Sequence, residues 1–402
     1  MMPAAYATMW AYPWDLVDEG IDRTLGFLGE DLGLTAVSVA ASYHSFQALL
    51  PHNPDRKVLT TPDAAVYFIP DWRLYADTPL RPHVSLLQGG KDWLASIAAA
   101  CQRRGPELVA WTVCLHNSRL AGRQPSTAVR NAFGDVYPSY LCPSNPDVRG
   151  YVRALCVNLD RGYGPRAIEL ESPHWHGFQH HAHPKVGVAL GPVDEWLLSL
   201  CFCQACQERG QAAGVDVDGL ADAVRRRLSA TFAAGRSPQE PGPADERRRA
   251  FAEATPGLAA YQGVREQTVT SLVREVREAV RCQVYLIQMG DRWTTALEPA
   301  RVSPLVDRIE ILAYTASPEA VRRASEAALR GLPSPAHLTV GLSAFAPFSP
   351  DRESLLATSR AALDLGVGGL SFYNYGLIPV ASFPWIREVI DELRGRTAGL
   401  AP

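Results

Sequence analysis

The 402-residue chain is 47% hydrophobic and 20% charged, proportions that are typical of a globular protein with a large core. A net charge of −3 excludes the strongly basic field that nucleic-acid or anionic-membrane binding requires, and no apolar run is long enough to span a bilayer. Residues 1–14 lack the basic and apolar segments of a secretory signal, so we expect a cytoplasmic location.

Short apolar runs alternate with longer amphipathic stretches, a pattern that predicts parallel strands joined by helices. The predicted strands are residues 6–10, 35–40, 107–115, 167–171, 283–288, 309–314, 338–343 and 369–373. The predicted helices are residues 15–32, 91–104, 147–159, 317–329 and 351–365, and most of them stop at a glycine. The number of strands is the number that a closed (β/α)8 barrel needs.

Three segments are too long to be simple connections between a strand and a helix. They are residues 42–90, 117–144 and 172–281, which follow predicted strands two, three and four. The last of them holds a histidine-rich loop, a cysteine cluster and three predicted extra helices. We therefore predict one α/β domain over residues 1–402, a (β/α)8 TIM barrel with long insertions after strands 2, 3 and 4. An open doubly wound sheet is disfavoured because no glycine-rich phosphate fingerprint follows the first strand.

Active sites of such barrels lie at the carboxyl ends of the strands. The polar and aromatic residues predicted at those ends are Trp10, His44, His116, Asn117, Tyr314, Tyr373 and Asn374. Aromatic rings pack on pyranose faces, and amides and imidazoles bind hydroxyls, so we predict that these residues hold a carbohydrate. The alternative is that they form the ordinary polar rim of a barrel with unrelated chemistry.

Two glutamates stand two residues apart on predicted strand four. Glu169 and Glu171 therefore point the same way, about 6.5–7 Å apart along the strand. Glu171 is nearer the open end and is predicted to be the catalytic acid or nucleophile. Glycoside cleavage needs a second carboxyl group, for which Asp291, just past strand five, is the first choice and Glu310 the second. Neutralisation of the glutamates by an arginine such as Arg166, and helix capping or pairing with an arginine by Asp291, are the structural alternatives.

Four of the eight cysteines are predicted to hold zinc. Cys201, Cys203 and Cys206 form a C-x-C-x2-C run, and Cys142 begins the sequence Cys-Pro-Ser-Asn-Pro. Thiols this close in a reducing compartment indicate a tetrahedral zinc site, with Cys142 as the best fourth ligand. Four thiolates leave no open position, so the zinc would be structural and would join two insertions. Unligated buried cysteines are the alternative.

This arrangement resembles the zinc site of the β-galactosidases of glycoside hydrolase family 42. There, one cysteine precedes a Pro-Asn-Ser-Pro-like turn and a C-x-C-x2-C run follows strand four. The resemblance covers roughly residues 107–206. It implies a carbohydrate-active barrel with Glu171 at the acid/base position. The Cys-Phe-Cys-x-x-Cys run also resembles that of hypothetical glycoside hydrolases.

Two departures from family 42 limit what the resemblance implies. The family has Asn before its strand-four glutamate, where this chain has Leu170. The family's nucleophile is a glutamate on strand seven, and the predicted strand 338–343 has none. β-Galactosidase activity and its double-displacement mechanism are therefore not expected from the resemblance.

Five of the ten histidines follow Glu171 directly: His174, His176, His180, His181 and His183. We predict that His174, His180 and His181, together with Lys185, bind substrate hydroxyls or carboxylates. A metal-dependent hydrolase or isomerase that uses this loop is the alternative.

The sequence as a whole predicts a glycoside hydrolase with paired carboxylates, acting on a carbohydrate or glycoside. A barrel that binds sugar without cleaving it stays open because strand seven carries no carboxylate. We expect no nucleic-acid or membrane partner, and a homo-oligomer is possible.

Overall fold

The centre of the computed structural model, which describes residues 6–103, 105–180 and 183–398, is a closed ring of eight parallel strands. In chain order they are β1 (Tyr6–Ala11), β2 (Ala36–Tyr43), β3 (Glu107–Val113), β4 (Ala167–Glu171), β5 (Gln283–Gln288), β6 (Arg308–Leu312), β7 (Leu338–Ser343) and β8 (Gly369–Tyr373). Each strand pairs with its neighbours in chain order, and β1 pairs with both β2 and β8. The predicted (β/α)8 barrel is confirmed.

Strand ends differ from the predicted ones by up to three residues. The largest difference is at β2, which continues to Tyr43 because its last two residues pair with the short antiparallel strand Ala65–Val66. That partner lies in the first insertion, so local sequence did not indicate the extension.

Helices cover the outside of the ring. They are Pro13–Glu19, Ile21–Gly26 with a π-helical turn Phe27–Asp31, Trp93–Arg103, Pro146–Tyr163, Leu258–Ala279, Pro318–Leu329, Arg352–Leu363 and Phe383–Ala398, with two single turns, Arg292–Thr295 and Pro299–Val302, after β5. Three of the helices start where a side chain (Asn145, Ser317 or Asp351) accepts a hydrogen bond from a backbone amide of the first turn. The predicted helix 15–32 is divided at Gly20, whose φ of 92° is a conformation that glycine favours.

All three predicted insertions are present. The first carries the hairpin Phe46–Leu49/Val58–Thr61, and the second carries helix Ser118–Arg123 and the hairpin Ala128–Arg130/Val136–Leu141. Between residues 172 and 281 the described chain forms five helices rather than three: Pro192–Leu198, Gln204–Ala212, Val217–Ala234, Ala244–Ala254 and Leu258–Ala279. The shortest of these are too short for periodicity to reveal them. No helix in the described ranges is long and apolar enough to cross a membrane.

Alternating residues of the strands fill the barrel interior in layers. Tyr6, Ala36, Val109, Ala167 and Tyr285 form an apolar layer at the amino end. Two residues further along the strands the buried side chains are polar: Thr8, Ser38, Glu169, Glu310 and Ser371. At the carboxyl end lies an aromatic layer with Trp10, Tyr12, Tyr43 and Trp111. Burying polar groups is costly unless they bond to one another, so the polar middle layer indicates that these residues have a role beyond packing.

Candidate active site

Glu171, the last residue of β4, lies in the barrel mouth. Its side chain is 8% exposed, and Oε2 accepts a 2.6 Å hydrogen bond from Nε1 of Trp111. Burial raises the pKa of Glu171 to about 7; the charge on Glu169 adds to this rise, and the bond from Trp111 opposes it. A carboxyl group that titrates near neutrality can give up a proton and take it back, as a general acid must.

Aromatic rings from several strands surround this carboxyl group. The Tyr43 ring lies 4.7 Å from that of Trp111, and the Tyr314 ring lies 5.5 Å from that of Tyr373. Burial raises the pKa of Tyr43, Tyr314 and Tyr373, and the charge of Glu171 contributes to each rise. The ring of Tyr373 also lies 6.3 Å from that of Trp111, which donates to Glu171. The predicted Tyr314 and Tyr373 are therefore in the same site as Glu171.

Two stacked tryptophans hold the two β4 glutamates at different depths. The rings of Trp10 and Trp111 lie 5.6 Å apart and are inclined by 22°. Trp10 donates from Nε1 to Oε2 of Glu169 at 2.7 Å, whereas Trp111 donates to Glu171. Trp10 is 1% exposed, so it supports the floor of the site rather than offering an open face to a sugar.

Glu169 and Glu310 form a buried carboxyl pair in the middle layer. Burial raises the pKa of Glu169 to about 7 against its hydrogen bonds, and burial followed by the charge of Glu169 raises that of Glu310 further. Ser371 donates to Glu310. Each negative charge disfavours ionisation of the other carboxyl group, so the pair keeps a proton more readily than isolated glutamates do. Arg166, the arginine considered for neutralising them, pairs instead with Glu107 at the amino end of the barrel.

Asp291 follows β5, as the sequence indicates, but its observed contacts are structural. Its Oδ1 accepts from two backbone amides of the turn Arg292–Thr295, at 3.0 and 3.2 Å, and lies 3.3 Å from Arg248. The side chain is 45% exposed. Within the described ranges no hydrogen bond joins Asp291 to Glu171. The capping alternative accounts for these contacts, and the catalytic role stays a prediction.

Histidines from three barrel loops gather as stacked rings beside the mouth. The rings of His44 and His116 stack at 4.4 Å, and that of His176 stacks on Tyr140 at 4.7 Å and on His180 at 4.6 Å. The two stacks meet at His116, which lies 5.4 Å from both His176 and His180. Burial lowers the pKa of His44, His176 and His180, so these imidazoles are neutral at pH 7.

Other predicted binding residues are placed differently. His174 is buried, with Nδ1 2.7 Å from the carbonyl oxygen of Trp175. Asn117 caps helix Ser118–Arg123. Asn374 is fully buried, and its Oδ1 accepts from the amide of Gly376 at 3.2 Å. Lys185 is exposed on the loop, and His181 lies outside the described residues. His174, Asn117 and Asn374 are therefore held by contacts within the protein, and the substrate-binding roles of all these residues stay predictions.

The four predicted cysteine ligands come together as one buried cluster. The Sγ atom of Cys142 lies 3.4 Å from that of Cys206, 3.6 Å from that of Cys203 and 3.7 Å from that of Cys201. A tetrahedral ion with metal–sulfur bonds of about 2.3 Å has sulfur–sulfur edges of roughly 3.8 Å. All four atoms lie within 4.8 Å of one another, so the cluster can hold a metal ion.

Four residues of the site were not among those predicted to bind substrate: Trp111, Tyr43, Tyr140 and His176. They supply the hydrogen bond to Glu171 or the stacked rings. The parity of β3 could have indicated Trp111, since it lies two residues after the inward-facing Val109 and therefore points the same way. Tyr140 lies in an insertion, where no strand register of the barrel fixes its direction.

Comparisons with known proteins agree with the barrel. No family model matches the chain, and no curated protein sequence matches it significantly. The chain is similar in structure to the glycoside hydrolase domain of PgaB (BpsB) from Bordetella bronchiseptica, with a TM-score of 0.62 and 15% identity, covering 96% of this chain and 99% of that one.

Two further solved structures are similar. The β-galactosidase from the psychrophilic Marinomonas ef1 has a TM-score of 0.58 and 12% identity, covering 98% of this chain and 61% of that one. The catalytic domain of β-amylase from Paenibacillus polymyxa has a TM-score of 0.52 and 11% identity, covering 96% and 98%. This chain thus spans less than two thirds of the β-galactosidase. At such identities the likeness shows the fold, which is the TIM barrel of these glycoside hydrolases.

Proposed function

We propose that the protein is a glycoside hydrolase in which Glu171 is the general acid. The observation that carries the proposal is the carboxyl group of Glu171, held by Trp111 in an aromatic mouth where burial raises its pKa to about 7. The barrel shared with glycoside hydrolases supports the same reaction class.

In the proposed reaction Glu171 donates its proton to the glycosidic oxygen as the bond from that oxygen to the anomeric carbon breaks. Water adds to the anomeric carbon and loses a proton, so the products are a free sugar and a free alcohol. Tyr314 and Tyr373 line the space beside the acid. Activity is expected to fall as pH rises through about 7, because ionised Glu171 has no proton to donate.

The second carboxyl group is the open element of this mechanism. Asp291 is the proposed partner from the sequence, and its exposure leaves room for a water molecule. The Glu169–Glu310 pair is the structural competitor because it lies in the same barrel interior as Glu171. Loss of turnover in Asp291→Asn or in Glu310→Gln, with the other variant active, separates the two assignments.

The cysteine cluster is proposed to hold structural zinc. Four sulfur donors, all buried, suit a soft-ligand tetrahedral ion and leave no position for substrate.

Two other functions remain as alternatives. Binding of sugar without cleavage is favoured by β7, which brings no carboxylate to the mouth. A metal-dependent hydrolase would need converging histidine nitrogens, yet in the described part of the chain the cysteines are the one converging group.

The test is Glu171→Gln assayed on a panel of 4-nitrophenyl glycosides and on disaccharides with the same sugars. General acid catalysis contributes about 10²–10⁴ in rate, so turnover of disaccharides should fall by that factor. Glu107→Gln is the matched control, since Glu107 lies on a barrel strand at the opposite end and forms an exposed ion pair. Unchanged turnover in Glu171→Gln would rule out the proposed role, and glycan binding without turnover in the unmutated protein would favour the non-catalytic alternative.

A further inference from the structure

A cleft of about 490 Å³ opens between the loops that follow β2, β3 and β4. Its walls include His44, His116, Tyr140 and His180, with serine and glutamine side chains between them. Among the described residues, none of those that line it is an aspartate, glutamate, lysine or arginine. The volume falls within the roughly 300–1,000 Å³ that is usual for small-molecule sites.

The cleft adjoins the candidate acid without containing it. The ring of Tyr43 stacks on that of His44 at 4.3 Å and meets that of Trp111 edge-on at 4.7 Å. Trp111 in turn donates to Glu171. In the strand register, the amide of Cys114 donates to the carbonyl oxygen of Glu171, so the β3 loop begins level with the acid. A ligand that reaches from Glu171 into the cleft would therefore place one part at the acid and the next part in the cleft.

Neutral imidazoles supply hydrogen-bonding groups of the cleft. His44 directs Nδ1 at the carbonyl oxygen of Ser45, 2.9 Å away, and because a carbonyl only accepts, Nε2 of the neutral ring is an acceptor. His180 is exposed, lines the same cleft and is also neutral at pH 7. Oη of Tyr140 and Nε2 of His176 are buried among the packed rings and are not part of the cleft surface.

Stacking covers most of the ring faces of this group. His44 lies over His116, and His176 lies between Tyr140 and His180. The surface of the cleft therefore consists mainly of ring edges and neutral polar groups, including serine hydroxyls and a glutamine amide, which suit the hydroxyls of an uncharged sugar. An anionic group would be desolvated here without a cationic partner.

We propose that this cleft is the subsite for the leaving-group sugar, an uncharged pyranose, so that the enzyme acts on neutral oligosaccharides. This inference rests on the proposed glycoside hydrolase function and adds the substrate class. A transition metal at the histidines is the competing occupant. Their nitrogens do not form a converging set in the described residues, whereas the cysteine sulfurs do.

The experiment compares a 4-nitrophenyl monosaccharide with the neutral disaccharide of the same sugar, using His44→Phe and His180→Phe. Each variant removes the polar atoms of a ring that lines the cleft and keeps a flat ring. KM for the disaccharide should rise about fivefold to tenfold in each, as for one lost hydrogen bond, whereas KM for the aryl glycoside should change less than twofold. His337→Phe is the matched control, since His337 directly precedes β7 and lies at the opposite end of the barrel.

The outcomes separate this inference from the proposed function. If Glu171→Gln abolishes turnover while both cleft variants leave the disaccharide KM within twofold of the unmutated value, the subsite is wrong and the hydrolase stands. A preference for an acidic disaccharide over the neutral one overturns the uncharged class. Metal beyond the cysteine-bound ion that disappears in His180→Phe overturns the sugar subsite in favour of a metal site. Thermal unfolding of each variant confirms that a change in KM is not a loss of fold.

Discussion

The cysteine cluster and the histidine group are two concentrations of metal-ligating side chains, and both draw on the insertions after β3 and β4. The sulfur atoms converge, with distances of 3.4–3.7 Å from Cys142 to the other three. The imidazoles instead lie face to face, at 4.4 Å for His44 on His116 and 4.6 Å for His176 on His180. Converging donors suit an ion, whereas rings stacked face to face do not direct their nitrogens at one point.

The difference follows from how each group is spaced along the chain. The C-x-C-x2-C run places Cys203 at the N-cap of helix Gln204–Ala212 and Cys206 in its first turn, so one short element fixes three sulfurs. The histidines come from three separate loops, and no common element directs their nitrogens at one point. Richness in ligand residues therefore predicts a metal site only when the spacing also makes the donors converge.

The largest effect is expected on removing a cysteine. Cys206→Ser should lose the bound metal and lower the free energy of unfolding by more than about 3 kcal/mol, because ion binding contributes directly to folding. Elemental analysis and urea unfolding measure the two quantities. Cys101→Ser, outside the cluster, is the control. Equal metal content and stability in the two variants would contradict a structural metal site.

A smaller effect on stability is expected when the pH is lowered, because of the buried His174. Burial lowers the pKa of His174 to about 4, whereas an unfolded histidine titrates near 6.5. The unfolded chain binds more protons between these pH values, so stability falls as pH drops from about 6.5 to 4, by roughly 3 kcal/mol. Relative to His174→Phe, the unmutated protein should lose that amount over this range in urea unfolding; a constant difference between the two would show that His174 does not titrate in this way.

The smallest effect is expected for His176→Phe at pH 7. Replacing a buried, unpartnered Nε2 with carbon removes a desolvation cost, so the free energy of unfolding should rise by about 1 kcal/mol. Metal content should stay at the value set by the cysteines. A fall in stability accompanied by loss of metal would show that the histidines bind metal as well, which contradicts the contrast with the cysteines.

Much of the fold could be predicted from local patterns. Alternating apolar runs located the eight strands, and glycines such as Gly331 and Gly366 marked helix ends. The division at Gly20 and the extension of β2 to Tyr43 were missed, because one depends on a single backbone conformation and the other on a pairing partner in an insertion.

Less of the candidate site than of the fold could be predicted from the sequence. Strand parity brought Glu171 to the mouth because the direction of a side chain alternates along a strand. The bond from Trp111 and the pairing of Glu169 with Glu310 join different strands, so they depend on barrel closure and register. The sequence Asp-Arg-Trp-Thr at Asp291 carried a capping signal, and the structure shows that cap.

The cysteine cluster also anchors the walls of the cleft. Cys142 lies two residues after Tyr140, and Ser199, two residues before Cys201, accepts from the amide of Phe178 in the histidine loop. If the cluster binds the proposed ion, a chain without that ion would lose the anchor that these two loops share. Metal supply would then set the fraction of molecules in which the cleft is fully assembled.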